Sequence, residues 1–211
     1  MRAANEQLTL ADPRITERKV DRELMLWNEN AGIYRRRGWL MLSHEGVRFE
    51  VAFLTPVVVS AGTALLATAC VRFDYSNYDL WPPSVEFIDL RDGSFATPAT
   101  RAVVPTDEGP RDLLVDGHPE THRPFFCVPG TREYHRHPQH SGDSWLLHRG
   151  RGAASLVTLC DLIWRSMARN VVGVQTVVQA LPPGMPIQAQ IQIAQGDVDA
   201  LPKGAAGGDA A

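Results

Sequence analysis

The chain has 211 residues, of which 44% are hydrophobic and 21% charged, with a formal net charge of −3. A length of this order makes one domain with tails and buries about 70% of its unfolded surface, so it needs no disulfide or metal to fold. The weak negative charge gives no electrostatic reason to expect nucleic acid or an anionic membrane as a partner.

The first thirteen residues, MRAANEQLTLADP, contain no apolar core of the kind a secretory signal carries. No apolar run approaches the 18 or more residues a transmembrane helix needs. A cytoplasmic location is therefore the expectation. Three cysteines, Cys70, Cys127 and Cys160, are an odd number at wide spacing and make no disulfide framework.

In chain order, residues 1–12 read as a flexible arm. Asp12-Pro13 is a helix start, with an acceptor side chain at the cap and proline at the first helical position. Val20, Leu24 and Trp27 then recur at helical spacing, with Arg14, Arg18, Lys19 and Arg22 among the other positions. This predicts a helix over 13–28, stopped by Asn30-Ala-Gly32. Strands follow at Trp39–Leu42, around Val47–Phe53 and at Leu65–Phe73, separated by the turn signals His44-Glu-Gly46 and Ser60-Ala-Gly62. Trp81-Pro82-Pro83 stops the third strand, and Val85, Phe87 and Ile88 begin a fourth. Residues 91–124 are rich in Pro, Gly, Thr and Asp and read as a long loop.

Phe125-Phe-Cys127-Val is a short apolar run broken by Pro129-Gly130. Leu156, Leu159, Cys160, Ile163, Trp164 and Met167 fit one face of a core-packed helix over 153–169. Alternation at Gln188–Ile193 suits an edge strand or a partner-bound segment. Residues 171–203 read as a C-terminal extension and the Ala/Gly-rich 204–211 as a disordered tail. The order of helix, four-stranded antiparallel meander, loop, cysteine and helix is an α+β layout, with its main domain at 13–170.

Six of the seven histidines lie between His118 and His148, in the same window as Cys127. Three readings of Cys127 stand side by side. It can be a nucleophile, because cationic neighbours favour the thiolate that attacks and a covalent thioester splits acyl transfer into two easier steps. It can be a zinc ligand with Glu133, His135 and His140, which supply S, O and N donors, although no Cys-x-x-Cys pair is present. It can also be a small core hydrophobe, which is the expectation for Cys70 and Cys160. A carboxylate or imidazole such as Glu133, His135, His140 or Asp143 can deprotonate an incoming amine, and Asp143 also suits a turn beside Gly142.

The order of elements and four motifs resemble the ubiquitin-conjugating enzyme family, and most closely its divergent bacterial branch, whose Cys-Glu-His-His motif was once described as metal-binding. The likeness spans residues 13–169. Tyr78-Asp-Leu-Trp-Pro82-Pro83-Ser-Val85-Glu-Phe87 resembles the proline-rich turn before the fourth strand. His118-Pro119-Glu120, nine residues before Cys127, resembles the His-Pro-Asn flap. Trp145 and an amphipathic helix follow the cysteine. The run from Cys127-Val-Pro-Gly-Thr-Arg-Glu133-Tyr-His135 through His140-Ser-Gly-Asp143-Ser-Trp145 is the most specific piece.

The resemblance implies a ubiquitin-conjugating-like fold with Cys127 as the thioester cysteine, and His118 as an anchor of the flap. The modifier would be a ubiquitin-like protein, the donor a ThiF-type activating enzyme docked on the basic face of the first helix (Arg14, Arg18, Lys19, Arg22), and the acceptor a target lysine. No cofactor of its own is implied, zinc being the alternative, and the setting is bacterial anti-phage defence. An inactive scaffold of the same fold is a further alternative. Glu120 departs from the family's asparagine. A carboxylate is a poor donor to an oxyanion, so that role must fall to another group.

Overall fold

The structure, a computed structural model, describes residues 10–59, 62–179 and 188–196. The expected flexible arm falls outside these residues except at its end, where the N–H groups of Leu10 and Ala11 donate to Asn77 Oδ1 at 2.7 and 3.1 Å. The expected disordered tail, 204–211, also lies outside them.

Helix α1 spans Pro13–Arg36, with Asp12 as its cap accepting from the N–H of Arg14 at 3.0 Å. It runs eight residues beyond the expected end at 28. Gly32 lies inside it, and a mid-helix glycine costs only about 1 kcal/mol. The last two turns recover that by burying Tyr34, which stacks on Trp39 at 5.0 Å and tilts against Trp27 at 4.9 Å. The helix stops instead at Gly38, whose φ is +83°.

Four antiparallel strands follow in the order β1 (Trp39–Glu45), β2 (Arg48–Val59), β3 (Gly62–Asp74) and β4 (Ser84–Phe87). The α+β layout with a four-stranded meander is thus present. The alternation places Phe49, Val51, Phe53, Val71, Phe73, Val85 and Phe87 on one buried face. That face packs under α1 through Val20 and Trp27 and under α3 (Leu156–Ile163) through Leu156, Leu159, Cys160 and Ile163. The other face carries Glu50, Arg72 and Glu86, linked across strands by Arg72. Cys160 is fully buried in the main core, and Cys70 is buried in a smaller cluster with Ala52 and Ile88.

The stretch read as a loop, 91–124, contains a hairpin and half of another. β5 (Val103–Thr106) pairs with β6 (Gly109–Asp112), and β7 (Leu114–Val115) pairs with β8 (Phe125–Phe126). Each strand is four residues or fewer, and Pro105 faces Pro110 across the first hairpin, so little alternation shows in the sequence. Asp112 holds the junction, accepting from the N–H groups of Ala102 and Leu114 and pairing with Arg101.

Helix α3 begins at Leu156, three residues later than expected, because residues 153–155 have other partners. The carbonyl of Ala154 accepts from Tyr75 Oη at 3.0 Å, and Ser155 caps the helix by accepting from the N–H of Thr158 at 3.1 Å. Glu23 of α1 accepts from the N–H of Leu156 at 2.8 Å, tying one helix to the start of the other. A wide π turn, Trp164–Ala168, completes the element. Beyond it β9 (Val171–Gln179) pairs with β10 (Gln188–Gln195), so the alternating glutamines form an edge strand whose partner the sequence reading missed. Among the described residues, no helix is long and apolar enough to cross a membrane.

A Cβ at Gly38 would lie 2.0 Å from the carbonyl oxygen of Leu54, whose N–H donates to Gly38 at 2.7 Å. Gly46 also has positive φ, +56°, yet a Cβ there meets nothing within 4 Å. Urea unfolding of Gly46→Ala should therefore show only the left-handed backbone cost, about 1 kcal/mol. Gly38→Ala should lose about 3 kcal/mol. Equal losses would contradict the close approach of α1 to β2.

Candidate functional site

Cys127 follows β8 directly. Its N–H donates to the carbonyl of Leu113 at 2.7 Å, which joins the end of the β5–β6 hairpin to the cysteine. After it the chain turns through Pro129-Gly130, where the backbone of Gly130 approaches Ala153 so closely that a Cβ would sit 2.1 Å from its carbonyl oxygen. Thr131 caps the five-residue helix α2 (Arg132–Arg136) and bonds back to the carbonyls of Phe126 and Val128 at 2.9 and 3.0 Å. Cys127 is buried among Phe125, Tyr134 and Val115.

The thiol meets His140. Cys127 Sγ lies 3.3 Å from His140 Nε2. Burial pushes the Cys127 thiol above its ordinary pKa, with the positive charge of Arg111 on β6 pulling the other way. Burial also pushes His140 down, reinforced by His137 and Arg111. Both shifts favour the neutral thiol and the neutral imidazole over a thiolate–imidazolium pair. At Cys127 loss of water works against the thiolate that cationic neighbours would favour.

Tyr134 stacks on His140 with ring centres 3.9 Å apart. Its hydroxyl donates to Asp143 Oδ2 at 2.8 Å, and Asp143 Oδ1 pairs with His148 Nε2 at 2.7 Å. The hydrogen bonds from His148 and Tyr134 hold the Asp143 carboxyl below its ordinary pKa, while burial and Asp143 raise Tyr134 to about 12. Asp143 therefore holds the ring that holds His140, and does not itself touch the sulfur.

The other expected site residues lie nearby but face elsewhere. His135 is occupied by two carbonyls, Asp143 at 2.9 Å from Nδ1 and Pro129 at 2.7 Å from Nε2, and ties the two sides of the loop together. The carboxyl of Glu133 points to β4, where it accepts from Ser84 Oγ and from the N–H of Val85. It lines a cavity of about 620 Å³ beside Arg72, Arg123 and Phe125, and burial raises its pKa. The four residues weighed as a zinc set are thus not gathered at one point; only Cys127 and His140 meet. Among the described residues, no group of three or more His, Cys, Asp or Glu side chains is arranged to hold a metal ion.

His118 is buried, with its Nε2 donating to the carbonyl of Glu133 at 3.0 Å and its Nδ1 accepting from the N–H of Glu120 at 3.2 Å. Both bonds fix it as an anchor. The Glu120 side chain is exposed and lies 3.7 Å from Arg136. Trp145 packs against His135 and donates to the carbonyl of Asp79 at 2.8 Å. On α1, Arg14, Arg18 and Arg22 are exposed, Arg14 pairing with Asp12, while Lys19 is bound by Asp79.

Three contributors escaped the sequence reading. Arg111 lies inside what reads as a loop, and Tyr134 and Arg132 lie in the run after Cys127 but were given no task there. Arg132 is buried, donating to the carbonyls of Ser76 at 2.7 Å and Pro82 at 3.2 Å.

Alkylation of Cys127, followed by mass spectrometry of its peptide, reads this electrostatic balance. The rate should rise with pH through a midpoint above the ordinary thiol value of about 8.5. In Arg111→Ala the midpoint should move higher still, because the positive charge that favours the thiolate is gone. A midpoint below 8.5, or no response to Arg111→Ala, would contradict the burial account.

The Y4jH-like family model matches residues 11–109 and 110–171, most of the chain. The chain is also similar to the uncharacterized protein y4jH of Sinorhizobium fredii (strain NBRC 101917 / NGR234). The two are 29% identical over 184 residues, covering 74% of this chain and 84% of that protein. With the sheet, the buried His118 and the Cys127 loop all inside the matched residues, the chain belongs to the Y4jH-like family.

Proposed function

We propose that this protein is a conjugating enzyme for a ubiquitin-like protein, carrying the modifier as a thioester on Cys127 and passing it to a target lysine. The observation that carries this reading is the pairing of Cys127 Sγ with His140 Nε2 at 3.3 Å, at the end of β8 and behind the flap anchored by His118. It is supported by the order of α1, meander, cysteine and α3, which suits a ubiquitin-conjugating-like fold.

In the first step Cys127 Sγ attacks the thioester carbonyl presented by a ThiF-type activating enzyme. A new C–S bond forms, the donor's C–S bond breaks, and His140 takes the thiol proton and returns it to the departing thiolate. In the second step a lysine amine of the target attacks the Cys127 thioester. The C–N bond forms, the C–S bond breaks, and the proton the amine gives up goes through His140 to Cys127. An unprotonated His140 suits the first task and a protonated one the last. The exposed Arg14, Arg18 and Arg22 offer the activating enzyme a basic docking face. The setting proposed is a bacterial cytoplasm, in an anti-phage operon.

Incubation with the activating enzyme, modifier and ATP should give an adduct removed by reducing agent, absent in Cys127→Ala and retained in Cys70→Ala and Cys160→Ala. An active upstream enzyme with no such adduct would leave at most a binding scaffold.

The pH dependence carries a second expectation. Because burial lowers the pKa of His140, loading should hold through neutral pH and fall only below the ordinary imidazole value of about 6.5. In His140→Ala it should drop by roughly 10²–10⁴-fold at pH 7. What remains should rise only in the alkaline range where the thiol ionises. A variant with the parent's profile would remove His140 from the reaction.

A further inference from the structure

The chain has 21 basic residues, of which only two, Lys19 and Lys203, are lysines; the other nineteen are arginines. Lysine is ordinarily among the commonest residues of a globular protein. Some of the arginines have structural reasons to be arginine. Arg72 binds Glu50 through two nitrogens, Arg132 is buried against carbonyls, and Arg37 lies over the rings of Trp39 and Trp164. A lysine has neither the fork nor the plane for these tasks. Arg22, Arg35 and Arg151 have no such reason: they are exposed, and their side chains make no hydrogen bond or ion pair among the described residues. A lysine would serve as well there for charge and solubility.

The one lysine among the described residues is not free either. The Lys19 amine is bound by Asp79, which also takes Arg149 at 3.1 Å and is held by Trp145 at its carbonyl. Around Cys127 the cations are all arginine or histidine. The carbonyl of Leu113 accepts the N–H of Cys127, and the positive charge of Arg111, two residues before Leu113, acts on the thiol.

We infer that lysine has been excluded from this surface to keep a thioester on Cys127 from being lost to the protein's own amines. A lysine amine that reached the thioester would form a C–N bond, break the C–S bond and release Cys127 as the thiol, leaving the modifier on the carrier as a permanent amide. A guanidinium stays protonated throughout the pH range of the reaction and cannot make that attack. Arginine thus supplies the positive charge the site uses without offering an acceptor. This inference rests on the conjugating reading of Cys127.

The test places an amine where arginine now stands. Arg111→Lys keeps the charge beside Cys127, and Arg35→Lys adds an amine on the exposed end of α1, both in full-length chain carrying Lys203→Arg. Each is incubated with the activating enzyme, modifier and ATP and resolved with and without reducing agent. The adduct lost on reduction reports loading; the adduct that survives reduction reports self-modification, mapped by mass spectrometry.

In Arg111→Lys the surviving adduct should appear on residue 111, one modifier mass larger than the chain, and in Arg35→Lys a weaker one should appear on residue 35, formed when another loaded copy meets that amine, while the Lys203→Arg parent shows the reducible adduct alone. Loading of Arg111→Lys without a surviving adduct overturns the inference and makes the arginine preference one of composition only. Absence of the reducible adduct in the parent removes the conjugating reading, and this inference with it.

Discussion

The arrangement around Cys127 depends on the buried guanidinium of Arg132. Helix α2 has five residues, too few to hold itself together in water. Burying a charge without partners would cost several kcal/mol, and burial does draw the Arg132 pKa down. Its side chain is satisfied by the carbonyls of Pro82 and Ser76, and its N–H donates to the carbonyl of Pro83 at 2.8 Å. The helix is thereby fixed to the proline-rich turn that leads into β4, and the turn to the helix. From that point each successive residue has a distinct task. Glu133 reaches β4, Tyr134 supports His140, and His135 bridges Pro129 and Asp143.

The second consequence is electrostatic. The same packing that positions the thiol removes water from it, and burial shifts both Cys127 and His140 toward their neutral forms. A resting neutral thiol is a poor target for stray electrophiles. In the proposed reaction it becomes a nucleophile when its proton passes to His140 as a bond forms. The positive charge of the exposed Arg111 opposes the effect of burial on the thiol. In the proposed reaction the tasks fall to three residues: attack to Cys127, proton acceptance to His140, and charge to Arg111.

Much of the framework was legible in the sequence because it is written in periodicity. Strand alternation at Val47–Phe53 and helical spacing at Leu156–Met167 marked the core faces, and Asp12-Pro13 marked the start of α1. What was not legible is decided by distant partners. Gly32 reads as a stop, yet the burial of Tyr34 against Trp39 carries α1 past it. β5 and β6 are too short and too proline-rich to show a pattern, and β9 has no strict alternation in its sequence. In the site, the sequence singled out Cys127, His140 and Asp143, which are linked through Tyr134, but Glu133 was grouped with them only by proximity in the chain. Its carboxyl leaves on the opposite side of α2, a direction no spacing rule specifies.

The account turns on where one proton sits. Nitrogen NMR of ring-labelled histidine, read at neutral pH in the unmodified protein and in Cys127→Ala, measures it directly. The account predicts that His140 Nε2 is unprotonated, with a resonance that moves when the Cys127 thiol is removed, and that it titrates below the ordinary imidazole value. A protonated Nε2 at neutral pH, or a resonance indifferent to Cys127→Ala, would contradict it.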